Sequence, residues 1–442
     1  MPDAADDRRS GGTTRRGWWG RPLHVRIFHG MAAGALLGVL ARLAFGEGSG
    51  LTWFAANVSL PIGRIFLRLI FMVVIPLILS ALMLGVAELG DVRRLGRVGL
   101  RTLLYTVVLS AVSVVIGVVL ANLVRPGVGL SEASRASLME TMSQARGSLT
   151  PAPVPKTGLQ IVLDLIPANP VEAMVNAFRG DMIAVMVFAL LLGVALTLID
   201  RGKAEPLLRL LQAVFEVVMK VIDLAMELAP FGVAALLFTL TARFGMDVLA
   251  PLLFYVLTVI AGLALHQYVT YSIALRVFAG VNPRRFFRSV REVTLTAFST
   301  SSSNATLPTT LRVAEQELGI PRSIASFVLT LGSTLNQNGT ALYEGITVLF
   351  LAQFFGVHLS LQGQITVVLL SILAGIGTAG VPGGSLPMVA ALLVTVGVPA
   401  EGIGVILGVD RILDMSRTVL NVTGDMTAAA CVARSEGHVL KV

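Results

Sequence analysis

Cysteine occurs once in these 442 residues, at Cys431. A lone thiol closes no intramolecular disulfide and founds no multi-cysteine metal site. Histidine is nearly as scarce, and His24, His29, His266, His358 and His438 are scattered without metal-ligand spacing. Charged side chains make up only 14% of the chain against 55% hydrophobic residues, and the mean hydropathy is +0.81. A soluble domain carries about 25% charge, so this composition belongs in a lipid bilayer. The formal charge of +8 invites a polyanionic partner. The basic residues, however, cluster at the ends of apolar runs, where membrane topology accounts for them and no nucleic acid is needed. No organic cofactor is called for.

What is present is a succession of apolar stretches separated by short polar turns. A spanning helix needs about 20 such residues, and spans are predicted near 24–46, 56–88, 99–124, 182–200, 206–240 and 247–279. Residues 1–22 carry no apolar period and read as a disordered tail. The run starting near His24 is too long for a cleaved signal peptide and lacks a small-residue cleavage site. Basic clusters lie at Arg8, Arg9, Arg15 and Arg16, at Arg93, Arg94, Arg97 and Arg101, at Arg201 and Lys203, and at Arg284, Arg285, Arg288 and Arg291. Each falls where an alternating chain with a cytoplasmic N-terminus returns to the cytoplasm. On that count 125–180, with Pro151, Pro153 and Pro155, is an external loop. Arg64, Arg68, Glu216, Lys220, Asp223 and Glu227 lie inside spans and read as snorkelling side chains or scaffold ion pairs.

The segment GVDRILDMSRTVLNVTGD places Asp410, Asp414, Arg417, Asn421 and Asp425 at steps of four, three, four and four residues. They share one slowly drifting helix face, with Ile, Leu, Val and Met opposite. One charge at mid-membrane costs about 2.5–3.5 kcal/mol even on a lenient insertion scale, so a stripe of four charges does not face lipid. It lines a polar site. Arg417 offers a planar fork that binds a carboxylate, and Asp414, one turn earlier, a partner for an ammonium group. The competing reading is that the two merely neutralise each other.

From about 285 onward, small and polar residues interrupt the apolar runs midway, as in helices that break inside a membrane under cover of protein or a cavity. Ser303-Asn304-Ala305-Thr306-Leu307-Pro308 is echoed by Gly383-Gly384-Ser385-Leu386-Pro387, and Asn336-Gln337-Asn338-Gly339-Thr340 by Asn421-Val422-Thr423-Gly424-Asp425. Paired interruptions of this kind point to a transporter site built from opposed segments. Thr300 to Asn304 is a turn whose N–H groups and hydroxyls can hold a carboxylate, or else a polar surface loop. Gly377 to Gly384 is rich enough in glycine to approach a ligand closely and swing aside. Asn336 to Thr340 interrupts a helix and frees carbonyl oxygens for a hard cation, for which Asp425 supplies negative charge. A channel also wants a polar stripe. An intramembrane serine hydrolase built on Ser301, Ser302 and Ser303 lacks a base, since neither His266 nor His358 belongs to a dyad motif.

SSSNATLP, NQNGT, GTAGVPGG and DRILDMSRTVLNVTGD, in this order, resemble the dicarboxylate/amino acid:cation symporter family, the glutamate and aspartate transporters. The likeness is close across 285–437 and looser from 22 to 284. It implies an all-α membrane protein with eight transmembrane helices and two re-entrant helical hairpins, assembled as a homotrimer in the cytoplasmic (inner) membrane with both termini cytoplasmic. Residues 23–284 would hold helices 1–6, mostly scaffold and trimerisation, with helices 3 and 6 joining the transport domain. Residues 285–437 would form the transport core, an elevator made of hairpins at 285–317 and 361–397, helix 7 at 322–351 and helix 8 at 401–435. By the same resemblance, Arg417 grips the side-chain carboxylate of the substrate and Asp414 its amino group. Thr340, Thr418 and Asn421 complete the polar shell, while Ser302, Ser303 and the backbone at Val381 and Gly383 lie between the tips against the α-carboxylate. One cation would sit among Asp425 and the carbonyls of Gly332, Asn336 and Asn421. Another would lie among the carbonyls of Thr334, Gly375, Ile376 and Thr378.

The departures from the family pattern are specific. Ser301 and Met415 stand where several members carry an arginine, and Arg411 is one residue off the stripe and receives no role. Gln337 and Asn338 replace methionine and aspartate, and Thr106 and Leu109 occupy positions where ligands of a third sodium ion are expected. That third site reads as dismantled, which implies fewer sodium ions per cycle or protons carried by Asp410, Asp414 or Asp425. The expectation is a symporter for an acidic amino acid, driven by Na+ or H+ and without covalent chemistry. A C4-dicarboxylate is the nearest alternative, opposed by the charge of Asp414.

Overall fold

Away from water only a helix satisfies its own backbone N–H and C=O groups locally, and the apolar stretches become helices accordingly. The computed structural model describes residues 22–46, 48–129, 166–177, 181–378, 380 and 383–442. Residues 1–21 of the expected tail, most of the loop expected to be external and Val381 lie outside the described residues. So do the side chains of Arg93, Arg94 and Ile376.

The first half comprises α1 (Leu23–Phe45), α2 (Ser49–Phe54), α3 (Leu60–Met72), α4 (Val74–Leu95), α5 (Arg97–Val124), α6 (Pro170–Val175), α7 (Met182–Leu198), α8 (Arg201–Phe244), α9 (Leu249–Leu265) and α10 (Tyr271–Ala274). At 44 residues α8 is about 66 Å long at the usual 1.5 Å rise, and α1 packs along it. Among the described residues, Val25–Phe45, Ser49–Ala87, Arg97–Val124 and Arg201–Ala279 are helical stretches long and apolar enough to cross a membrane. The expected gap between the last two early spans falls at Gly245, whose φ of 65° ends α8. The span expected at 56–88 is bent at Val73, and a short helix, α6, lies within the expected loop because Asn169 caps its first N–H groups and Pro170 opens it.

The scaffold reading of the span charges holds in part. Glu227 takes both Nη atoms of Arg26 of α1 at 2.8 and 3.2 Å, which ties α1 to α8, while Lys220 and Asp223 form an exposed pair at 3.5 Å. Leu36, Leu40 and Leu43 of α1, Leu104 and Val108 of α5, and Phe254 and Leu257 of α9 are exposed, whereas Asp410, Arg411, Asp414, Arg417 and Asp425 of the last helix are buried. A surface that is apolar outside and polar within suits lipid rather than water.

The second half comprises α11 (Pro283–Ser289), α12 (Arg291–Thr300), α13 (Ser303–Gln316), α14 (Arg322–Leu335), α15 (Asn338–Phe355), α16 (Leu361–Gly377), α17 (Leu386–Thr395) and α18 (Leu407–Ser435). Helices α12 and α13 pack on each other across a two-residue turn, and α16 and α17 are joined through the glycine-rich segment. Helix α18 runs through the middle, against α12, α14 and α15. It was expected to show an apolar outer face. Instead it is buried nearly all round, and the partly exposed positions of its first half, Val409, Ile412, Ser416 and Val419, form a narrow stripe. Enclosure by several helices, rather than by lipid on one side, explains the difference.

Candidate functional site

The helix expected at 322–351 breaks, but at two residues rather than five. Asn336 (φ −98°, ψ 64°) and Gln337 (φ −94°, ψ 55°) leave the helical region, and Asn338 already opens α15. The first N–H groups of a helix need acceptors from outside it. Asn421 of α18 supplies one, its Oδ1 accepting from Gly339 N at 2.7 Å and Thr340 N at 3.3 Å, while its Nδ2 donates to Gln337 Oε1 at 2.5 Å and Thr340 Oγ1 at 3.2 Å. The broken helix is thereby clamped to α18 at the centre of the polar stripe.

One turn earlier lies a quartet of buried charges. Arg417 donates from Nε and Nη2 to Asp414 Oδ1 at 3.1 and 2.7 Å, and its Nη1 stands 3.5 Å from Asp410 Oδ1. Asp414 Oδ2 accepts from Arg411 Nη1 at 3.2 Å and from the backbone N–H of Gly383 at 3.1 Å. Gly383 has a φ of 76°, a left-handed conformation open to glycine, which helps the glycine-rich tip present its N–H to the carboxylate. The pairing of Asp414 with Arg417, which the sequence offered as the competing reading, is present in the structure. Arg411, expected to take no part, lies on the other carboxylate oxygen.

The two tips meet. Ser302 Oγ donates to Gly380 O at 2.7 Å and accepts from Ala305 N at 3.1 Å, and Asn304 N also reaches Gly380 O, at 3.3 Å. Ser302, expected between the tips against the α-carboxylate, has its hydroxyl engaged in capping α13 and tying the tips. Its neighbours differ: Ser301, at φ 51°, and Ser303 both line a narrow polar cleft. Ser385, Thr340, Asp414, Arg417, Thr418 and Asn421 share that cleft. Four of its polar atoms are buried without a hydrogen-bond partner: Ser301 Oγ, Ser303 Oγ, Ser385 Oγ and Arg417 Nη1.

Of the expected cation ligands, Asp425, Gly332 and Asn336 come together. Asn336 Nδ2 donates to Asp425 Oδ1 at 2.8 Å, and a Cβ added to Gly332 would stand 2.5 Å from that same oxygen. Asn336 Oδ1 is buried and unpartnered. Asn421, whose backbone carbonyl is the expected ligand, lies one turn before Asp425 and turns its side chain to the break. In the second set, Gly375 lies on Gln337 and Ala341, Thr378 donates to Ala374 O at 2.8 Å, and Thr334 is only half-buried in the last turn of α14. Ile376 belongs to the last turn of α16. Among the described residues no group of three or more His, Cys, Asp or Glu gathers as a metal centre.

Around Asn338 the hydrogen bonds close on themselves. Ser110 Oγ donates to Asn338 Oδ1 at 2.6 Å, Asn338 Nδ2 to Tyr271 Oη at 3.0 Å, Tyr271 O–H to Leu420 O at 3.1 Å, and Ser113 Oγ to Asn338 O at 2.9 Å. Thr106 and Leu109 are buried nearby on the same helix as Ser110.

Residues 23–435 match the sequence model of the sodium:dicarboxylate symporter family. The chain belongs to this family. Members of the sodium:dicarboxylate symporter family that it resembles include a proton/sodium-glutamate symport protein of Bacillus subtilis, 36% identical over 94% of this chain and 93% of the relative. A proton/glutamate-aspartate symporter of Escherichia coli is 34% identical over 93% and 92%. A C4-dicarboxylate transport protein of Anaeromyxobacter sp. (strain K) is 31% identical over 95% and 91%. The symporter family is one of membrane transporters, in agreement with the apolar helices. Sequence reasoning missed Tyr343, Ser385 and Glu344. Tyr343 and Glu344 follow Thr340 by three and four residues on one helix face, a spacing that identifies them once Thr340 is placed in the site. Glu344 Oε2 is buried without a partner, and its Oε1 faces Thr378 Oγ1 at 3.5 Å.

Proposed function

We propose that this chain is a secondary active symporter that imports an acidic amino acid, glutamate or aspartate, on a Na+ or H+ gradient. The observation that carries the reading is a set of four buried polar atoms without hydrogen-bond partners on residues that line one cleft, three hydroxyls and the Nη1 arm of Arg417, whose nearest anion, Asp410 Oδ1, stands at 3.5 Å. Buried polar groups without partners are costly, about 1–3 kcal/mol each, and a ligand rich in oxygen satisfies all four. A carboxylate on Arg417 displaces its hydrogen bonds to Asp414, and an ammonium group then answers Asp414. Ser301 and Ser303 receive the α-carboxylate with the backbone of Val381, while the Gly383 N–H stays on Asp414, and Thr340, Thr418 and Asn421 orient the remainder. Ser302 holds the tips together. The names of the glutamate and aspartate relatives support this assignment.

The coupling cation is cargo. Asp425 with the oxygens of Gly332 and Asn336 suits a hard monovalent ion, and Thr334, Gly375, Ile376 and Thr378 provide carbonyls for a second. The network around Asn338 is neutral and internally satisfied, which favours fewer than three sodium ions per cycle. The family resemblance extends the reading to eight spans, two re-entrant hairpins, an elevator motion, a homotrimer and an inner membrane with cytoplasmic termini. A C4-dicarboxylate is the second reading, favoured by the Anaeromyxobacter relative and by the two guanidinium groups on Asp414.

The test is uptake of labelled aspartate and glutamate into proteoliposomes with sodium and pH gradients imposed separately. Concentrative uptake under one gradient supports a symporter. Equilibration down the substrate gradient alone, whatever the ion gradient, refutes it in favour of a channel.

A further inference from the structure

Asp414 stands between two cavities. The cleft with Arg417 lies on one side, and a second narrow space on the other, where Ile27, Phe66, Met226 and Val233 face Leu386 and Leu407. Arg411 lines this second space, 8% exposed and with Nε unpartnered, and reaches back to Asp414 Oδ2 at 3.2 Å. The walls contributed by those six residues are apolar, so the charge of Arg411 is compensated within its own helix.

Two guanidinium groups thus bracket one carboxylate, and Asp410, Arg411, Asp414 and Arg417 sum to zero. A substrate carboxylate that takes the fork of Arg417 removes that arginine from Asp414 Oδ1. Without Arg411, Asp414 would then be a buried anion facing the substrate with only the Gly383 N–H on it, tolerable only if the substrate brings an ammonium group. With Arg411 on Oδ2 the compensation is already in place. We propose that Arg411 is a positioning residue that sets substrate specificity, holding Asp414 neutralised from behind so that the site admits C4-dicarboxylates lacking an amino group alongside acidic amino acids. The inference rests on the symporter reading and deepens it.

The test uses full-length protein in proteoliposomes, with labelled aspartate uptake competed by succinate. Wild type is expected to give a succinate inhibition constant within about tenfold of the aspartate KM. Arg411→Gln is expected to raise that ratio about tenfold or more, with the aspartate KM changed less than about threefold. Arg411→Lys, which keeps the charge, is expected to preserve the ratio. Equal losses for both substrates in Arg411→Gln, or an unchanged ratio, overturn the proposal. So does a wild-type protein that takes up aspartate yet ignores succinate at about a hundredfold excess, a result that needs no variant to fold. Wild type that takes up neither substrate refutes the symporter reading itself.

Discussion

The guanidinium carbon of Arg417 lies 4.3 Å from the centroid of the Tyr343 ring, and the hydroxyl of that tyrosine donates to Asp410 Oδ1 at 2.7 Å. One side chain from α15 thus offers its π face to the cation and its O–H to the flanking anion. The arginine is held by a ring below and carboxylates to the side, and its remaining arm, Nη1, stands 3.5 Å from Asp410 Oδ1 without a hydrogen bond.

Arg417→Ala is expected to weaken aspartate binding by about a hundredfold or more, since a charge-assisted bidentate contact is lost. Asp414 retains Arg411 and Gly383 in this variant, so the protein is expected to fold. Binding calorimetry with size-exclusion chromatography checks both halves, and unchanged aspartate affinity would remove Arg417 from the site.

Tyr343→Phe keeps the ring and deletes the hydrogen bond to Asp410. A bond to a charged group is worth about 1.5–3 kcal/mol, so aspartate affinity should fall about tenfold through a less rigid Arg417. Tyr343→Leu removes the cation–π contact as well, about 0.5–2 kcal/mol more, and should fall further. Equal affinity in Tyr343→Phe and wild type would show that Asp410 positions nothing.

Gly332→Ala places a methyl group 2.5 Å from Asp425 Oδ1, closer than real contacts allow, so the carboxylate must turn away. If Asp425 is the fixed ligand of the coupling cation, Gly332→Ala and Asp425→Asn should share one phenotype, a half-saturating sodium concentration raised about tenfold or more. Sodium titrations of uptake distinguish this from a packing defect, which lowers the maximal rate at unchanged sodium dependence. In a proton-driven protein, the same variants should shift the dependence on the pH gradient instead.

The neutral ring of hydrogen bonds at Asn338 predicts that uptake rises with sodium less steeply than a third-power law. Asn338→Asp puts an unpaired carboxylate among Ser110 and Tyr271, which costs several kcal/mol unless a cation joins it. The rise in Tm on adding sodium should therefore be larger in Asn338→Asp than in wild type, as measured by thermal unfolding. Equal sodium-induced shifts would contradict this account.

The polar stripe of α18 was legible because a helix repeats every 3.6 residues, so spacing alone places Asp410, Asp414, Arg417, Asn421 and Asp425 together. Its surroundings were not. The family resemblance places Asn421 in the substrate shell and its carbonyl at a cation, and the structure adds that its side-chain amide caps α15, a partner 81 and 82 residues away that spacing cannot reveal. Ser302 looked equivalent to Ser303, yet the capping geometry gives one hydroxyl two partners and leaves the other free. Arg411 fell outside the stripe by one position. Its side chain is long enough to turn back to Asp414, and long side chains escape a face assignment made from Cα positions.

Composition and periodicity by themselves determined that this chain belongs in a bilayer, that its apolar stretches are helical, and that charge is concentrated on one late helix. Those properties depend on transfer free energy and helix geometry, both local. Tertiary structure alone decided that the two hairpin tips touch at Gly380, that the broken helix is clamped by Asn421, and which hydroxyls were left without partners. Hydrogen bonds are short-ranged and saturable, so which polar group remains for a substrate is settled only when every neighbour has taken its partner.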